Sequence, residues 1–130
     1  MIKQDYLIRM IQEIVSFIIN TILRKNEFIR RDWSIYDHLI KEILGFPTES
    51  LININVQELI DKYEKDSDRI DKIELAAMTI LKISYEMDND ILLKSKLQQN
   101  GIILLKYVDK ECNIFSIQRA QLISQLENNC

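Results

Sequence analysis

Helix breakers are all but missing from this chain, which has one proline and two glycines in 130 residues. Inside a helix, Gly costs roughly 1 kcal/mol and Pro roughly 3 kcal/mol against Ala, so their scarcity leaves long segments free to be helical. A helix bundle this short offers few loops on which to build a catalytic site. Two isolated glycines cannot supply the phosphate cradle of a P-loop or a dinucleotide fingerprint, and no nucleophile elbow is present. Cysteine is scarce too. Cys112 and Cys130 form no CxxC and no metal-ligand spacing, and read as reduced thiols in a cytoplasm. A surplus of cations is missing: the formal net charge is -3, which gives no pull towards phosphate backbones. A membrane-spanning run is missing as well. The longest nearly uncharged stretch, Ile14 to Leu23, is about half of what crosses a bilayer, and no small-residue cleavage site follows it.

What the chain does contain is leucine and isoleucine recurring every three or four positions, the spacing of amphipathic helices. The expectation is an all-α bundle of five or six helices in a single domain, residues 1–130, large enough to bury a core without metal or disulfide. The first helix runs from about Lys3 to Lys25. Leu7, Met10, Ile11, Ile14, Phe17, Ile18 and Ile22 form one stripe, and Ile8, Val15, Ile19 and Leu23 widen it beyond half the circumference. Such a helix must be covered from two sides, by its own bundle or by a second subunit.

Asp32 is placed to cap a second helix, Trp33 to Leu44, with Gly45 at its C′ position and Pro47 as the stop. A short helical turn is expected over Thr48 to Asn55, and Asn55 caps a third helix from Val56 to Glu64. Lys65 to Asp68 is a polar connector. A fourth helix reaches about Met87 with Ile70, Ile73, Ala77, Ile80, Leu81 and Ile83 facing inwards, while Leu75, Met78 and Tyr85 point to another side. After the turn Asp88-Asn89-Asp90, a fifth helix spans Ile91 to about Lys110 with a seam of Leu93, Leu97, Leu104 and Val108. Gly101 lies on that seam and marks a close helix crossing. Ser116 or Asn113 begins a last helix ending near Leu126.

The fourth and fifth helices form a hairpin about the size of a tetratricopeptide unit. The 75–110 stretch is similar to that repeat in its small and aromatic residues, although the turn lacks the repeat's glycine and there is no second copy. The opening Met1-Ile2-Lys3-Gln4-Asp5-Tyr6-Leu7-Ile8-Arg9-Met10-Ile11 resembles the start of a family of small bacterial proteins carrying a domain-of-unknown-function label. The closing Phe115-Ser116-Ile117-Gln118-Arg119 is similar to that family's end. The resemblance implies a stand-alone helical protein, brings no activity, and draws attention to Asp5, Tyr6, Arg9 and Arg119.

Few constellations could carry chemistry. His38 and Glu42, at i and i+4, could begin a metal site or an acid–base couple, but one histidine and one carboxylate need distant residues to complete either. The acidic stretch Asp61, Glu64, Asp66, Asp68 and Asp71 is interleaved with Lys62, Lys65, Arg69 and Lys72 and lacks the order of a calcium loop. Asp5, Arg9 and Glu13 suit a ladder of ion pairs, with Asp5 or Arg9 alternatively pinning the chain ends through Arg119. The reading is of a chain without catalytic residues, metal or cofactor. Its leading function is a cytoplasmic, non-catalytic interaction module that associates with itself or another protein. The wide first helix and a second patch supply the surface: Val15, Ile19, Leu23, Leu75, Met78 and Tyr85. The alternative is a nucleic-acid accessory using the basic patch Arg24, Lys25, Arg30 and Arg31 beside Trp33 and Tyr36. A weaker one is a small-ligand binder at a polar cleft around Asp5, Arg9 and His38.

Overall fold

A computed structural model describes residues 4–112 and 114–128. These residues are 80% helical and contain no strands. The elements are α1 (Gln4–Leu23), α2 (Arg30–Leu44), a 3₁₀ helix (Thr48–Asn53), α3 (Val56–Lys62), α4 (Arg69–Glu86), α5 (Ile91–Glu111) and α6 (Ile117–Asn128). The expected start of the first helix at Lys3, Asn113 as a cap, and Cys130 lie outside the described residues.

The punctuation follows local chemistry. Gly45 sits at φ 88° and its N–H donates to the Lys41 carbonyl at 2.9 Å, closing α2; this left-handed position is one that only glycine adopts freely. The Asn55 side chain accepts from the N–H groups of Gln57 and Glu58, capping α3. The Asp90 side chain accepts from Leu93 N–H at the start of α5, and Ser116 Oγ from Arg119 N–H at the start of α6. The start of α2 differs from expectation. Ile29 occupies the cap position without a side-chain bond, its carbonyl accepts Trp33 N–H at 2.9 Å, and Asp32 falls in the first helical turn. A carboxylate there suits the positive helix pole from within the helix. The expected third helix to Glu64 stops at Lys62. Tyr63 follows as its C-cap, buried, with its hydroxyl donating to the Leu44 carbonyl at 2.6 Å. That burial, with Asp66 nearby, holds the Tyr63 phenol well above its ordinary pKa.

The core is organised around α4, which packs against α1, α2, the 3₁₀ helix and α5. Leu75, Ala76, Ala77, Met78, Thr79, Ile80 and Leu81 are consecutive and all buried. A helix enclosed in this way has no outer face. Leu75 and Met78 therefore face neighbours inside the chain, not a second, outward side. The broad apolar sector of α1 is explained in the same way. Ile11, Ile14, Val15, Ile18, Ile19 and Ile22 are buried, and α1 is covered by α4 and α6 of its own chain. At the α4–α5 crossing, a Cβ on Gly101 would lie 2.5 Å from Cγ and Cδ2 of Leu81. The leucine occupies the space that any larger residue would need.

Candidate functional site

The residues anticipated as an interaction surface are not a surface. Val15, Ile19, Leu75 and Met78 are buried; Leu23 and Tyr85 are half-buried, with the Tyr85 hydroxyl donating to the Asn26 carbonyl at 2.7 Å. The surplus apolar girth that suggested a second subunit is consumed by intrachain packing.

The basic patch is solvent-exposed at all four positions, Arg24, Lys25, Arg30 and Arg31. Its aromatic companions are committed elsewhere. Lys82 Nζ lies 4.0 Å from the Trp33 ring centroid and 5.5 Å from that of Phe28, and pairs with Glu86. Tyr36 packs against Phe17 with ring centroids 4.9 Å apart and planes tilted by 42°. With Lys82 over its ring, Trp33 is not a free platform for bases. His38 Nε2 lies 3.1 Å from Glu42 Oε1, both side chains largely exposed. Among the described residues there is no group of three or more His, Cys, Asp or Glu that could hold a metal ion. In the acidic connector, Lys72 bridges Asp66 at 2.9 Å and Asp68 at 3.4 Å.

Asp5 and Arg9 are exposed, and Arg119 does not meet them. Arg119 is instead 4% exposed. Its Nε donates to Asp109 on α5, its Nη1 to Glu74 on α4, and its Nη2 to the Ile114 carbonyl at 3.2 Å. A planar guanidinium suits this role because its donors are fixed in a fork and it never loses its charge. Burial disfavours that charge, but the two carboxylates outweigh it and hold Arg119 above its usual pKa. For Glu74 the balance is opposite: burial, with the charges of Asp71 and Asp109, holds its carboxyl above its ordinary pKa despite Arg119.

The fork ties α4, α5, α6 and the α5–α6 corner together, and the consequence lies on the outside of that corner. Ile114 is 75% exposed, Phe115 74% and Ile117 65%. A buried arginine beneath three exposed large apolar side chains inverts the usual arrangement, and such inversions are the informative departures from ordinary burial. Phe115 and Ile117 continue into a groove of about 510 Å³ completed by Ala120, Gln121, Ser124 and Gln125 of α6. No charged side chain lines it. Beside these apolar groups, the Ile114 carbonyl is bonded from within by Arg119.

Contrary to the expectation from its uncharged run, the Asp5–Leu23 stretch of α1 is by composition long and apolar enough to cross a membrane, and 39% of that stretch is buried within the bundle. Comparison with protein-family models, with curated proteins and with solved structures finds no match.

Proposed function

We propose that this chain is a non-catalytic interaction module whose contact surface is the α5–α6 corner with the groove of α6, and that its partner is a second copy of the chain. The observation that carries this reading is the exposed trio Ile114, Phe115 and Ile117, of which Phe115 and Ile117 line an open, shallow depression without charge. Charged residues are depleted at the centres of interfaces, while aromatic and apolar anchors are enriched. An uncharged patch is also self-complementary. Two chains of net charge -3 can meet there about a two-fold axis without placing like charges in contact. The α4–α5 hairpin, of tetratricopeptide-like size, stands behind the surface, and a cytoplasmic location belongs to the same proposal.

The test is a pair of charge insertions, Phe115→Glu and Ile117→Glu, each followed by light scattering and circular dichroism. Both positions are exposed, so helicity should stay unchanged while the assembly falls to single chains and the melting temperature loses only its dependence on protein concentration. An unmodified protein that remains a single chain at tens of micromolar, on the order of typical homodimer concentrations, removes this reading.

A further inference from the structure

A second groove, away from the α6 patch, separates α1 from α2. It is about 540 Å³, within the range of roughly 300–1,000 Å³ typical of small-molecule sites. Its lining combines two kinds of chemistry. Tyr6, Phe17 and Tyr36 bring aromatic rings, with Phe17 and Tyr36 centroids 4.9 Å apart, and Met10 adds a polarisable thioether. Glu13 and Asp32 bring two carboxylates, and no Lys, Arg or His shares the lining. Among the described residues neither carboxylate has an ion-pair partner. Both lie close enough to the Tyr36 hydroxyl to push its pKa up, after the larger effect of burial.

The arrangement follows from helical spacing. Tyr6, Met10, Glu13 and Phe17 share one stripe of α1, and Asp32 and Tyr36 lie one turn apart on α2. Both carboxylates act on the Tyr36 hydroxyl, and aromatic faces carry a negative quadrupole, so the groove is negative and its lining holds no counter-charge.

We propose that this groove binds an organic cation, an alkylated ammonium on a short apolar stem, seated against the Tyr6, Phe17 and Tyr36 rings with Glu13 and Asp32 beside it. Alkylation selects this ligand over a simple ammonium. Exposed carboxylates hold a strongly hydrated ammonium weakly, whereas a weakly hydrated alkylated head leaves water readily and is attracted by aromatic faces.

The probe is choline, set against its uncharged carbon isostere 3,3-dimethyl-1-butanol, with amide chemical shifts of the ¹⁵N-labelled full chain as the readout. Choline at millimolar concentrations should shift amides of α1 and α2 saturably, and the isostere should bind about tenfold more weakly or worse. The double substitution Glu13→Gln with Asp32→Asn preserves shape and sits at exposed positions; it should weaken choline by about tenfold with an unchanged melting temperature. Tyr36→Leu should weaken it as well, while Ile117→Glu should leave it unaffected. Equal binding of choline and the isostere, shifts that survive the double substitution, or no shifts on α1 and α2 at tens of millimolar choline would each overturn the proposal.

Discussion

Replacing Arg119 by methionine removes the fork that joins Glu74, Asp109 and the Ile114 carbonyl while keeping most of the side-chain volume. The two carboxylates left behind differ in their environment. Asp109 has 35% of its side chain exposed and can rehydrate, whereas Glu74 has only 14% exposed. Removing one partner of a buried ion pair costs about 3–5 kcal/mol because the other charge is stranded. Glu74 has an escape: it can take up a proton. From an ordinary carboxyl value of 4.5, neutralising it at pH 7 costs about 3.4 kcal/mol at roughly 1.4 kcal/mol per unit. That sets the ceiling for its share at pH 7, and at pH 5 the ceiling falls below about 1 kcal/mol.

The sign follows from linkage. A carboxyl whose folded-state pKa is raised binds more protons folded than unfolded, so its contribution to stability falls as pH rises through that pKa. Glu74 is raised by burial even beside Arg119, and more so without it. Arg119→Met should therefore lose about 3 kcal/mol at pH 7 and recover about 2 kcal/mol of that at pH 5, as read by urea denaturation at both pH values. Arg119→Met combined with Glu74→Gln should remove most of the pH dependence. A loss that is the same at both pH values, or under about 1 kcal/mol at pH 7, would refute the buried fork.

Other consequences follow from the packing. Gly101→Ala should gain about 1 kcal/mol in helix propensity and lose about 1–3 kcal/mol to overpacking, because its Cβ meets Leu81 at the branch point; thermal melts should show a lowered midpoint, and a raised one contradicts the close crossing. Val15→Glu buries a charge on the inner face of α1 and should lower the unfolding free energy from urea denaturation by at least about 2 kcal/mol; unchanged stability would return Val15 to the surface. Asn55→Ala deletes the cap of α3 and should cost about 1 kcal/mol, measured by denaturation, with no change in assembly.

Much of the architecture was legible because it is written in local spacing. The stop at Gly45, the Asn55 cap, the Ser116 start of α6 and the close approach at Gly101 each depend on residues within a turn or two of one another, or on one residue that tolerates no neighbour; α1, expected to reach Lys25, ends at Leu23 because Lys25 takes a left-handed φ of 56°. The interaction surface was misread for a physical reason. Periodicity reports how much of a helix is apolar, not what covers it; Val15, Ile19, Leu75 and Met78 look surplus on their own helices and are consumed once α4 is enclosed on every side. Arg119 was singled out through the chain ends, but its partners, Glu74 and Asp109, are separated from it by 45 and 10 residues, and no local pattern specifies such pairings. The exposed apolar residues at the α5–α6 corner left a faint trace, Ile114, Phe115 and Ile117 crowding a helix start where polar residues are usual. The groove between α1 and α2 was invisible for the same reason as the fork: Glu13 and Asp32 come to line one groove only in the folded chain.

Sedimentation velocity over a concentration series, run side by side on the unmodified chain and on Ile117→Glu, tests the α6 surface most directly. The unmodified chain should move reversibly from the mass of one chain to that of two as concentration rises, while Ile117→Glu stays at one chain with the same fold. A dimer that forms equally well in both proteins would mean that the corner held by Arg119 is not where copies of this chain meet.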